Sequence, residues 1–242
     1  MSRFFKFKPQ TRLWSLAALS LLLPGIALAG GKATLVTTDQ PMPMAGQAGN
    51  GGPTSMTITW QDKNTTRMDF ADAGMYLIMR DGKTYSVSQH NGTPLVMDMS
   101  GMSGMMQSMM PKSGNSEHPF GSIDSVTATQ SNETVAGIKG RVYNMSWTEP
   151  DGSKKSDEAV LTDDPLVVEM TQAYFGAMSA MVGEKYTRLY QDALPEADQG
   201  LLKVGKQFYV ESISKEDPPA ATFELPGKPM DLPSMHGDMG KH

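Results

Sequence analysis

The chain has 242 residues, 21 of them methionine and none cysteine, and a formal net charge of −5. Without a thiol it can form no disulfide and carry no thiol-linked lipid anchor, so its fold must rest on its core alone. The acidic balance, with no cluster of Lys and Arg, argues against nucleic acid as a partner and against electrostatic docking on anionic lipid.

Residues 1–29 read as a signal peptide rather than as part of the fold. Arg3, Lys6, Lys8 and Arg12 give a basic start, Leu13 to Leu23 is a short apolar run, and Ala27-Leu28-Ala29 is a small-residue cleavage site. The apolar run falls short of the roughly 18 to 20 residues that a membrane span needs, and Pro24-Gly25 breaks it. The expected mature chain starts at Gly30 and keeps 213 residues, with 17 Lys and Arg against 26 Asp and Glu, a net charge of −9. That length suits one domain, expected over residues 30–226, in a soluble periplasmic protein.

Short alternating runs separated by turn residues then dominate. Lys32 to Thr38 is a first strand, and Thr38 to Pro53 reads as a loop. Met56, Ile58 and Trp60 alternate with Thr, and Met68 and Phe70 with Arg67 and Asp69, which predicts a hairpin around Asp62-Lys63-Asn64. Asp81-Gly82 and Asn91-Gly92 are turn pairs of the kind that tolerates positive φ at both positions, so MYLIMR, KTYSVS and PLVMDM should be consecutive antiparallel strands. Further strands fit Ser122 to Thr129, Lys139 to Trp147, Lys155 to Thr162, Leu201 to Val204 and Gln207 to Ser214. The sum is a meander of about ten strands.

Two places break the period of two. Met102, Met105, Met106, Met109 and Met110 recur at helical spacing before Pro111, with Ser and Gly on the other side. Asp164 and Pro165 can open a stronger helix in which Val167, Met170, Tyr174, Met178 and Met181 share a stripe, with Gly183 as its stop and a second helix from Glu184 to Gln191. Strands followed by helices predict an α+β fold, a curved antiparallel sheet with helices over its concave side. Pro226 to His242 has no periodicity, and residues 227–242 are expected to be a disordered Met/His-rich tail.

From Val96 to Pro111, seven of sixteen residues are methionine, and the mature chain holds 20 Met against 11 Leu. Ordering a Met side chain costs up to about 1.5 to 2 kcal/mol of rotamer entropy against roughly 0.5 to 1 for Leu, for similar buried area. A plain core would therefore favour Leu. The excess points either to a pliant surface for an apolar ligand or to a use for the thioether. The first reading places Met97, Met102, Met105, Met106, Met109, Met110, Met170, Tyr174, Met178 and Met181 along the lining of a ligand cavity. The second is copper, because thioethers are soft ligands that select Cu(I) and need no deprotonation. Its candidate ligands are Met230, Met235, His236, Met239 and His242, with the internal Met run and Met42-Pro43-Met44 as further clusters.

Other chemistry is weakly signalled. His90 and His118 stand alone in loops, Asp157-Glu158 falls on a strand, and Asp163-Asp164 precedes a helix that it can cap. No nucleophile elbow, zinc-protease helix motif, phosphate loop or dinucleotide fingerprint occurs, so no enzyme is expected.

The phrases MYLIMRDGKTYSV, VAGIKGRVYNMSW, EAVLTDDPLVV and FYVESISKEDPPAATFELP, with a Met-rich stretch after the first, resemble a group of secreted bacterial domains of unknown function. These are similar to the LolA-type lipoprotein carriers and their mycobacterial LppX relatives. The resemblance spans Met56 to Pro226. It implies a half-open antiparallel barrel with helices plugging its concave face, a cavity able to take acyl chains, and no catalytic residues. Two departures stand: the mature chain opens with a strand where the carriers open with a helix, and no residue matches their lid-gating arginine. The expected function is a non-enzymatic periplasmic binding protein for an apolar molecule or lipid, without a cofactor; the alternative is a copper buffer. A protein partner in the envelope and the oligomeric state stay open.

Overall fold

A computed structural model describes residues 30–38, 53–71, 73–99, 121–149, 151–196 and 198–231. Six strands come first: β1 Gly31–Thr37, β2 Thr54–Asp62, β3 Thr65–Phe70, β4 Met75–Arg80, β5 Lys83–His90 and β6 Thr93–Asp98. Then come β7 Ser122–Val135, β8 Ile138–Thr148, β9 Lys154–Thr162, helices α1 Pro165–Val182 and α2 Glu184–Gln191, β10 Gly200–Val204 and β11 Phe208–Lys215. A 3-10 helix, Ala220–Phe223, and a two-residue strand, β12 Met230–Asp231, end the described chain.

All twelve strands form one sheet in the order β12-β6-β5-β4-β3-β2-β1-β11-β10-β9-β8-β7. Eleven pair antiparallel, and β12 lies parallel on β6. The sheet is large, curved and unclosed, and it dominates the fold, with few helices. It consists of two meanders, β2 to β6 and β7 to β10, sewn together by β1 beside β11.

The turns follow from local chemistry. Asp81 and Gly82 have φ of 53° and 71°, and Asn91 and Gly92 have 50° and 78°, the left-handed pairs that two-residue hairpins require. A third such pair, Ala136 at 52° and Gly137 at 81°, joins β7 to β8. The expected end of the β7 strand at Thr129 is passed because a register shift between Ala128 and Asn132 lets pairing resume on the far side.

Helix α1 starts where Asp164 accepts hydrogen bonds from the backbone N–H groups of Leu166 (3.0 Å) and Val167 (3.3 Å), with Pro165 in the first turn. Its Val167, Met170 and Met178 join Leu35, Ile58 and Trp60 of the sheet in the main core. The approach to β10 is close: a Cβ on Gly200 would lie 2.6 Å from the Val167 carbonyl carbon, so only glycine fits there. One step on, the Leu201 N–H donates to Thr171 Oγ1 at 2.8 Å.

Alternation sends Leu77 to this core and its neighbours Tyr76 and Ile78 to the opposite face. There Tyr85, Val87 and Val96 form a second cluster with Tyr76 and Leu225. That face is crossed by a strap, residues 216–231. Its Glu216 N–H bonds the Gly30 carbonyl at 3.0 Å, and its Thr222 and Phe223 carbonyls accept from Arg67 Nη1 (3.5 Å) and Arg80 Nη1 (3.3 Å). Arg67 is itself fixed, forked onto Asp69 at 2.7 to 3.1 Å and stacked 3.8 Å over the Tyr76 ring. The Asp69 hydrogen bond, opposed by partial burial, raises the Arg67 pKa further. The strap reaches the sheet edge as β12, so Met230, expected in a free tail, is paired with Met97.

Candidate functional site

The last strands and the two helices enclose an apolar cleft. Register places Val126 of β7 opposite Met145 of β8, Ala159 of β9 opposite Val204 of β10, and Leu161 opposite Leu201. These pairs make its floor. Phe175 of α1, Tyr190 of α2, and Ala193 and Leu194 just beyond α2 close it from the other side. Phe175 and Tyr190 stack with ring centres 6.5 Å apart, which ties α2 to α1 at the cleft wall. The wall is hydrocarbon and thioether almost throughout, and the open space is about 40 Å³. Sites that hold small ligands usually offer roughly 300 to 1,000 Å³. The space present is therefore well below what a chain molecule fills.

The wall formed by α2 is the one with the least local support. An eight-residue helix is marginal on its own, since nucleation is costly and lengths below about 12 to 15 residues rarely persist in water. Its N-cap, Gly183, has φ of 98° and supplies no side-chain hydrogen bond. Within the helix, Glu184 and Arg188 form an exposed i,i+4 pair at 2.6 Å, worth only a few tenths of a kcal/mol.

One polar pair stands beside the cleft floor. Gln199 Nε2 donates to the Tyr143 hydroxyl at 2.9 Å, both side chains being buried, and the Gln199 Oε1 is buried with no partner. A buried, unsatisfied acceptor costs about 1 to 3 kcal/mol. On α1, Tyr174 packs against Phe208 with ring centres 5.7 Å apart. Burial pushes its hydroxyl pKa up to about 12, with the charge of Tyr190 adding to the shift.

The residues expected to line a cavity are spread over the fold. Met170 and Met178 are core residues, 1% and 4% exposed, packed between α1 and the sheet rather than along the cleft. Tyr174 sits at the margin of that core. Met97 lies on β6, near the other end of the sheet. Met181 is in the last turn of α1, its side chain outside the described residues, as are Met102, Met105, Met106, Met109 and Met110. Of the expected copper ligands, Met230 is on β12, and Met235, His236, Met239 and His242 lie outside the described residues. Among the described residues no group of three or more His, Asp or Glu side chains is placed to hold a metal ion. Sequence reasoning missed the cleft residues Ile123, Val126, Leu194 and Leu201. The available signal was the run of apolar residues on one side of each of the strands β7 to β10, which alternation marks as inward but does not assign to a common hollow.

Compared with known protein families, with characterised proteins and with solved structures, the chain matches none of them. Its site is therefore read from its own geometry.

Proposed function

We propose that this chain is a non-enzymatic binding protein of the cell envelope that holds the hydrocarbon part of an acyl-chain ligand in the cleft beneath α2. In this reading the sheet is a half-open barrel of the LolA type, α1 and α2 lie on its concave face, and the chain reaches the periplasm by its N-terminal leader. The observation that carries the proposal is the composition of the cleft wall: Val126, Met145, Ala159, Leu161, Leu194 and Leu201 face one hollow with almost no polar atom among them. Apolar surface of that kind gains about 25 cal/mol per Å² when a hydrocarbon replaces water against it. Outward displacement of α2 enlarges the hollow at low cost, because that helix contributes little stability of its own.

The test uses a fluorescent long-chain fatty acid as the probe and the full chain after leader removal. Saturable binding is expected, weakened tenfold or more by Leu194→Glu, which puts a charge into the wall from an irregular segment and leaves the melting temperature within a few degrees. Ala193→Trp, which fills the hollow, should act in the same direction. Absence of saturable binding, or binding unchanged by both variants, refutes the proposal.

A further inference from the structure

The opposite end of the sheet carries a different arrangement. Strand β12 lies parallel to β6 with Met230 directly beside Met97 and Asp231 beside Asp98. Residues paired across a ladder point to the same face, and residues two apart on one strand share it too. Met99 lies one residue past β6 but continues its ladder, donating its N–H to the Thr84 carbonyl at 2.8 Å, so Met97, Met99 and Met230 stand on one face at one corner of the sheet. Neighbouring strands are about 4.8 Å apart and alternate residues on a strand about 6.8 Å apart. Three-torsion thioether side chains rooted at those spacings can bring their sulfurs to a common point.

Burial at this corner is unlike that of the core. Met97 and Met99 are half-buried, and Met230, 50% exposed, is the one large hydrophobic side chain left exposed among the described residues. The position is also expensive to build. Arg67 and Arg80 hold the strap, its Leu225 packs onto the cluster of Tyr85, Val87 and Val96, and the product is a two-residue strand whose first residue is an exposed methionine. A strap that only sealed the lower face could stop at Leu225.

We propose that Met97, Met99 and Met230 form a thioether site for a soft monovalent cation, Cu(I), at the β6–β12 edge. The site goes beyond the binding function proposed above and lies at the other end of the sheet from the cleft. Neutral sulfur donors favour Cu(I) over harder divalent ions, and they bind without releasing a proton. Affinity should accordingly be the same at pH 5 and pH 8. A site built on histidine would weaken as the imidazoles protonate near pH 6.5.

The experiment titrates the full chain after leader removal with Cu(I) under anaerobic conditions against a chromophoric Cu(I) chelator, and repeats the titration with Ag(I) while following methionine methyl resonances. One ion per chain is expected, with the methyl signals of Met97, Met99 and Met230 shifted, each identified by its loss in the matching Met→Leu variant. Met230→Leu, at an exposed position, should weaken binding tenfold or more without changing the melting temperature. The combined Met97→Leu, Met99→Leu, Met230→Leu chain should lose the ion. A variant carrying Met235→Leu, His236→Ala, Met239→Leu and His242→Ala should keep it. Binding that survives Met230→Leu unchanged, that disappears with the four C-terminal substitutions, or that weakens tenfold between pH 8 and pH 5 overturns the proposal.

Discussion

The two halves of the sheet solve the same problem differently. Across β1, β2 and β8 to β11, helix α1 covers one face and fully buries Trp60, Val167, Met170 and Leu202. Across β5 and β6 the apolar cover lies on the opposite face, supplied by the strap, and on the helix side Met97 and Met99 remain half-buried; β4 is the border, where Leu77 still joins the main core and Met75 and Met79 beside it are half-buried. The first half is packed for stability and the second is held in place by a peripheral clamp. Local stability should therefore be high around α1 and low toward the β12 edge.

The sharpest contrast comes from trimming one methionine in each half. Met170→Ala removes a side chain 1% exposed in the main core and should cost about 2 to 5 kcal/mol in chemical unfolding. Met97→Ala, at a half-buried position, should cost roughly 1 kcal/mol or less. Equal losses would break the distinction. Next in size is an alkaline effect confined to the helix-covered half. With its pKa raised to about 12, Tyr174 stays protonated in the fold at pH values where the unfolded chain has lost that proton. Its contribution is fully present below about pH 10 and falls as pH rises toward 12, by up to roughly 2 to 3 kcal/mol. A pH series of thermal melts should show this fall, and Tyr174→Phe should flatten it.

Arg67→Ala tests the clamp. It removes a carboxylate-fixed guanidinium from the strap and should cost about 1 to 2 kcal/mol, seen in hydrogen exchange as faster exchange of residues 220–231 with α1 unchanged. If protection around α1 falls equally, the two halves are one cooperative unit. The smallest expected effect is Asp164→Ala, about 1 kcal/mol from loss of the helix cap, measurable as a shift in denaturation midpoint.

Sequence-level reasoning reached these regions unequally because their determinants have different ranges. The Asp81-Gly82 and Asn91-Gly92 turns and the Asp164-Pro165 helix start are local signals, and the structure has each of them. The Ala136-Gly137 turn was harder to see, since alanine does not announce a positive φ. Neither the β1–β11 pairing nor the path of the strap is written in any short window. The first joins residues more than 170 positions apart, and the second depends on Arg67 and Arg80 meeting carbonyls across the fold. The cleft belongs to the same long-range class, because Val126, Ala159 and Leu201 become neighbours only once β7 to β10 are in register.

The seam between the meanders has a consequence for biogenesis. β1 is the first described strand to leave a ribosome, yet one of its two sides stays bare until β11 follows it. Each meander can assemble from near neighbours, but joining them waits for loop closure over nearly the whole domain, the slow kind of contact in folding. Completion is thus gated by the last eight-residue antiparallel strand, and a chain interrupted before Phe208 would present an unpaired β1 as a sticky edge to chaperones and proteases.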